Sequence, residues 1–256
     1  MRQYFNQAWS LMLKPKITPI SQINCQQTLP ECFTLLTWNL QKVDFSHYIH
    51  RPIETLLSIP KVHLLSLQEA AIKPKQNRFF NLPFFMTPNI ETKKQFYGVV
   101  TASNYYQSAF SQHLTQHREL GVMTHKAALV TKHPLHNGQT LTHVNIHAIN
   151  FVPHYIFKTE LRILWDNIKL TQGPLIVSGD FNTWNKLRLN TLLKATKQLN
   201  LSQVVFSDSR AIKTLNRHPL DYIFYRDLSM RDAVVLSVPE ISDHNPLVAT
   251  FSLTHH

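Results

Sequence analysis

The chain has 256 residues, 43% of them hydrophobic and 16% charged, a balance that excludes global disorder and supplies a sizeable core. Its formal charge is +11 with all 15 histidines neutral, which favours a polyanion, a phosphorylated substrate or an anionic membrane face as partner. The two cysteines, Cys25 and Cys32, make neither a disulfide framework nor a metal-type pair, and no apolar run is long enough for a membrane span.

Residues 1–32 hold Pro15, Pro19 and Pro30 among Gln and Asn, and read as an irregular extension before one domain over 33–256. The run at 8–13 is too short for a signal-peptide core, so a cytoplasmic chain is expected. Docking of this stretch on the parent domain is expected, with a membrane-surface helix as the alternative. FTLLTWNL at 33–40 reads as a strand ending at Trp38-Asn39. The spacing of Ile49, Ile53, Leu56 and Leu57 predicts a helix over 46–59, with Pro52 at its start or breaking it. KVHLLSLQE at 61–69 is a second strand, ending at Gln68-Glu69. Residues 73–93, rich in Pro and Lys, read as a strand with loops. YGVVTAS at 97–103 and GVMTHKAALVT at 121–131 read as strands, joined by a polar and aromatic connector over 104–118. LTHVNIHAINF at 141–151 alternates like a strand and reaches His147. Leu161, Leu164, Trp165 and Ile168 predict a helix over 154–172.

PLIVSGDFNTW follows at 174–184. Leu175-Ile176-Val177 reads as a central strand that breaks at Ser178-Gly179 and delivers Asp180 and Asn182 to one side. Such a pair holds a phosphate or a hydrated metal ion, or else makes an Asx-type turn. A helix over 186–199 comes next, then strands at 203–206, 220–225, 233–238 and 247–253. Strands outnumber helices without strict alternation, which predicts two packed sheets with helices outside.

Asn39, Glu69, His147, the Asp180/Asn182 pair and Asp243-His244 all sit where a strand ends or turns, and Asp221 is embedded in the apolar PLDYIFY. A buried carboxylate needs a partner, so Asp221 calls for one. Mg²⁺ takes carboxylate and amide oxygens, with Glu69 and Asp243 as the natural carboxylates and Asn39 and Asp180 near the same ion or its waters. His244 is placed to take a proton from an attacking water, and Asp221 to orient an imidazole. His147 and Asn182 would donate hydrogen bonds to the phosphate, or His147 would protonate the leaving oxygen.

WN at 38–39, QE at 68–69, N-x-H at 145–147, GD-x-N at 179–182, LDY at 220–222 and SDH at 242–244 resemble, in this order, the endonuclease/exonuclease/phosphatase superfamily. The likeness runs from about 33 to 253 and looks closest to a poorly characterised set of bacterial cytoplasmic proteins. The resemblance implies a four-layer α/β sandwich, two packed mixed β-sheets flanked by helices. It implies phosphoester hydrolysis by in-line attack of water with Mg²⁺ or Mn²⁺. By motif, Glu69 is the main metal ligand, with Asn39 beside it and Asp243 helping to hold the metal region. Asp180 and Asn182 position water and phosphate, His244 is the general base, and His147 contacts phosphate. Asp221 pairs with one of the two histidines, which one being left open.

The substrate is not set by these motifs. Nucleic acid is the leading reading, with Asn145, Tyr97 and Trp184 as substrate-binding candidates and Tyr105 and Tyr106 nearby. These aromatics would otherwise be core or loop anchors. A phospholipid or phosphoinositide hydrolase is the alternative. A phosphate-binding scaffold is the non-enzyme alternative, against which the full residue set argues. A monomer is expected.

Overall fold

The computed structural model describes residues 25–43, 61–121 and 124–254. Most of the expected extension, and all of the helix predicted over 46–59, lie outside them. In chain order the elements open with β1 (Cys32–Asn39), β2 (Leu64–Ile72), β3 (Phe84–Glu91), β4 (Phe96–Ala102) and β5 (Ser108–Leu114). Then come β6 (Ala127–Pro134), β7 (Thr140–His147), helix α1 (His154–Ile168), β8 (Leu175–Asp180) and helix α2 (Lys186–Gln198). Short strands β9 (Ser202–Gln203), β10 (Thr214–Leu215) and β11 (His218–Pro219) precede β12 (Asp221–Arg226), β13 (Leu228–Val235) and β14 (Leu247–Leu253).

One six-stranded sheet runs β13-β14-β1-β2-β4-β3 and the other β5-β6-β7-β8-β12-β9. Each has one parallel pair at its centre, β1/β2 and β7/β8, among antiparallel neighbours. The chain is therefore an α/β sandwich of two mixed sheets. Period-two alternation decides which side chains face which layer. Val144, Ile146, Val177 and Phe224 turn outward under α1 and α2, where Phe157, Leu161, Leu164, Trp165 and Leu192 cover them. Leu36, Trp38, Leu65 and Leu67 turn to the opposite outer face. The residues between them in sequence fill the layer between the sheets.

That middle layer is graded along the strands. At the end where the parallel strands begin it is apolar, built from Phe33, Leu35, Leu64, Leu141 and Ile176. Midway it becomes polar. Ser178 Oγ donates to Ser66 Oγ at 2.9 Å, and Asn145 Nδ2 donates to Leu67 O at 3.1 Å and Val100 O at 2.8 Å. At the far end it holds Asn39, His147, Asp180 and Asp221, all buried. Parallel neighbours finish at the same edge, so β1, β2, β7 and β8 bring their C-terminal residues together there.

Several expectations differ, among them the strand expected from 121, which begins at Ala127. The connector 104–118 contains β5, an edge strand whose single pairing partner and mixed SAFSQHL sequence hide it from an apolar-run reading. The helix expected to 172 stops at Ile168, and Gly173 at φ 74° turns the chain into β8. The strand expected at 203–206 shrinks to β9, and β13 begins at Leu228 rather than 233. The described end of the extension docks on the domain: Leu29 is buried, and its N–H donates to Pro134 O at 3.0 Å. Among the described residues no helix is long and apolar enough to cross a membrane.

Candidate active site

Strand β8 supplies the centre of the site. Gly179, at φ 135°, lies so close to β7 that a Cβ would sit 2.0 Å from Ile146 O, which explains a glycine directly before Asp180. Asp180 is 2% exposed. Its Oδ2 accepts from Asn39 Nδ2 at 3.0 Å and its Oδ1 from Asn182 N–H at 2.9 Å. The second of these is an Asx-type turn, so both readings of D-x-N hold at once. Asn182 takes φ 50° to make that turn, and its Nδ2 donates to Ala148 O at 2.9 Å.

Asp221 opens β12 directly opposite Asp180 in register. Its Oδ2 lies 2.7 Å from His244 Nδ1, so His244 is the histidine that Asp221 orients. Both are buried. Trp38 Nε1 donates to His244 O at 2.7 Å and fixes the loop that carries it. Burial alone would lower the His244 imidazole. The charge and hydrogen bond of Asp221, with Asp180 and Asp243 behind them, overcome burial and raise it to about 9. Asp180 is raised to about 7 by burial and by Asp221.

Glu69 stands at φ 51°, where β2 bulges against β4 between Leu67 and Ala70. Its carboxylate lies 3.4 Å from Lys126 Nζ, 3.6 Å from Lys42 Nζ and 3.8 Å from His147 Nε2. His147 Nε2 is also 3.6 Å from Asp180 Oδ2, so Glu69 and Asp180 border one space. Burial, then Lys126, His244 and Lys42, hold the His147 imidazole well below its ordinary range, and it is neutral.

Not every expected residue arrives here. Asp243 reaches only the open edge of the site: it is exposed and ion-paired with Lys213, with Oδ1 3.7 Å from His244 Nε2. Asn145 is fully buried between the sheets: besides its two donated bonds, its Oδ1 accepts from Gln68 Nε2 at 2.7 Å, so it clamps sheet to sheet instead of facing substrate. Trp184 donates to Asn150 Oδ1 at 2.8 Å and stacks 4.9 Å from the Arg188 guanidinium, an anchor for the neighbouring loop. Tyr97 lies on β4 opposite Ala71, beside the Glu69 bulge, and donates to Gln95 Oε1 at 2.6 Å.

Sequence reasoning passed over Lys126 and Glu119. Lys126 is buried, reaching Glu69 and, at 3.5 Å, Glu119 Oε2. Burial raises the Glu119 carboxyl, with Lys126 opposing. A lysine heading the apolar run AALVT was the available signal.

The donor set suits a divalent cation. Glu69 and Asp180 border one space, with Asn39 beside Asp180; Asp180, Asp221 and His244 each offer a ligand atom within 4.8 Å of the others, and burial, then Asp221, raises the Asp180 carboxyl. A profile of the Endonuclease/Exonuclease/phosphatase family matches residues 36–244. The chain belongs to that family. It is 33% identical over 241 residues to a UPF0294 protein of Klebsiella pneumoniae (strain 342), covering 92% of this chain and 88% of that one. An endonuclease/exonuclease/phosphatase from Beutenbergia cavernae DSM 12333 superposes with TM-score 0.65 at 15% identity, covering 87% of this chain and 72% of that one. The endonuclease domain of TRAS1, a telomere-specific non-LTR retrotransposon, gives TM-score 0.62 at 16% identity, covering 87% and 99%. These two show the fold. Members of the family are hydrolases acting on phosphoesters.

Proposed function

We propose that this chain is a divalent-metal-dependent phosphodiesterase in which His244 takes the proton of the attacking water. The observation that carries the reading is the 2.7 Å bond between Asp221 and His244, buried beside Asp180. That bond holds the proton on Nδ1 and leaves Nε2 as the accepting nitrogen. Glu69 and Asp180, with Asn39 beside them, are the residues that would hold Mg²⁺ or Mn²⁺. The ion would polarise a phosphoryl oxygen and offset the carboxylate charge. With that charge offset, the His244 imidazole would fall from about 9 toward the range in which it accepts a proton near neutrality. Asn182 has a second amide N–H for a phosphate oxygen. His147 and Lys126 supply donors beside Glu69 for the phosphate and the leaving oxygen.

Nucleic acid is the first substrate reading, supported by the +11 charge. A phospholipid head group is the second, supported by large apolar side chains exposed on the segments next to the site, Phe151 (56%) and Leu187 (57%) among them. The test is a panel of supercoiled DNA, RNA, a phosphoinositide and sphingomyelin with Mg²⁺, Mn²⁺ or EDTA. Metal-dependent turnover of at least one substrate is expected. No turnover on any of them overturns the enzyme reading, and turnover that survives EDTA sinks the mechanism.

A further inference from the structure

Leu120 is 60% exposed, Phe151 56%, Tyr155 69% and Leu187 57%. These four large apolar side chains stand on segments that hydrogen bonds join into one rim. Asn150 N–H donates to Glu119 Oε1 at 2.7 Å, which sets the turn of Leu120 beside the loop of Phe151. The buried Arg188 guanidinium donates to Ile149 O at 2.9 Å and Val152 O at 3.0 Å, which ties that loop to the first turn of α2, where Leu187 sits. Tyr155, at the start of α1, follows His154, whose Nε2 is 2.9 Å from Thr191 Oγ1 of α2. The rim adjoins the site, because its loop begins at Ala148, the acceptor of Asn182 Nδ2.

Two of the four hold a backbone that such residues rarely adopt. Leu120 has φ 48° and Phe151 φ 44°. Bulky side chains are unfavourable there, and Asn or Gly is the ordinary occupant. Burial does not compensate, since both side chains face solvent. A strained, exposed, apolar position beside a site calls for a partner outside the chain. The hairpin β10–β11 joins the rim through Asn216 Nδ2, 3.5 Å from Trp184 O. On these segments the exposed residues are apolar, neutral or basic, Lys186 and Arg217 among them, and none is acidic. Glu119, the acid of the rim, is buried against Lys126.

We propose that this rim docks on an anionic lipid bilayer, with Leu120, Phe151, Tyr155 and Leu187 entering the head-group boundary and Lys186 and Arg217 meeting lipid phosphates. Apolar side chains flanked by cations, with no exposed acid on their own segments, match that surface. A base-stacking platform needs flat rings, which Leu120 and Leu187 do not offer. Docking is read without turnover, so its failure and the failure of the hydrolase reading are separate results.

The experiment is sedimentation of the full chain in EDTA with vesicles of phosphatidylcholine, alone or mixed with phosphatidylglycerol. Salt-sensitive pelleting with the mixed vesicles is expected. Leu120→Asn/Phe151→Asn should weaken it at least about tenfold, the scale of one large apolar side chain lost from the boundary. Because Asn suits positive φ, the melting temperature of this variant should hold or rise, which a merely structural role for these residues would not allow. Tyr155→Ser/Leu187→Ser carries the same test on the helix starts, should the first variant misfold. Lys186→Gln/Arg217→Gln should lose only the preference for anionic vesicles. Wild type that stays in solution, or variants that pellet equally, overturns the proposal. So does loss of single-stranded DNA retention in the Asn variant with vesicle binding unchanged, which would make the rim a nucleic-acid surface.

Discussion

His244 illustrates how neighbours, more than identity, set what a residue does. Its imidazole is buried, which alone disfavours charge, yet Asp221 at 2.7 Å raises it to about 9. His147, equally buried but facing Lys126, stays neutral. One site thus holds a histidine tuned to gain a proton and another tuned to remain uncharged. His244→Ala should lower kcat by about 10²–10⁴-fold with little change in KM, because a general base acts in the transition state. A kcat within a few-fold of wild type would remove His244 from that role. Asp221→Asn takes away the charge that raises the imidazole and leaves the burial that lowers it. The acid limb of the pH–rate profile should therefore move to lower pH, along with a fall in kcat. A profile that keeps its acid limb would show that another group sets the His244 proton.

Among the elements, β7 separates what a sequence shows from what only packing shows. Alternation in LTHVNIH marks it as a strand, and His147 at its end marks a site. Asn145 carries no such mark: its clamp depends on Leu67 and Val100, distant segments of the other sheet. Its place in an N-x-H motif suggested substrate, whereas its amide is spent between the sheets. Asn145→Ala should cost about 2–3 kcal/mol, since it takes a donor from two carbonyls in a dry layer and the shortest acceptor from Gln68 Nε2, which keeps Thr37 Oγ1 and Ser66 O, and KM should not move. Chemical denaturation and steady-state kinetics on the same preparation decide it; a raised KM at unchanged stability would return Asn145 to the substrate. The same reasoning accounts for the rest. Strand β8 was legible because three apolar residues end in Ser-Gly-Asp. Strand β5 was not, because an edge strand needs neither a long apolar run nor two partners. The pairing of Asp221 with His244 was half legible: two histidines were candidates, and only the register of β12 on β8 selects one. Lys126 and Asp243 owe their partners, Glu69 with Glu119 and Lys213, to loops that no local pattern brings together.

The sandwich as a whole has a polar seam where many two-sheet proteins are apolar, and the seam makes stability depend on pH. His133 and His143 lie wholly buried in it, 6.3 Å apart between ring centroids. Their Nε2 atoms meet the hydroxyls of Thr131 and Ser178, each at 2.9 Å. Burial lowers His133 to about 3; burial and then His133 lower His143 well below its ordinary range. Both are neutral in the folded chain, while the unfolded chain protonates them below about pH 6.5. Their contribution is therefore complete above about pH 6.5 and is lost as pH falls below it, by about 2 kcal/mol for His133 at pH 5 and in the same direction for His143. Asp180 works in the opposite sense. Its carboxyl, raised to about 7, binds a proton in the folded state first, so acidification favours folding there. The total slope mixes the two, and a difference isolates the histidines. His143→Gln keeps an amide for Ser178 Oγ and removes the titrating ring. Urea unfolding in EDTA near pH 7.5 and pH 5 should show the variant losing less stability than wild type over that interval. Equal losses in the two chains would mean that His143 already carries its proton when folded, and that the seam tolerates a charge.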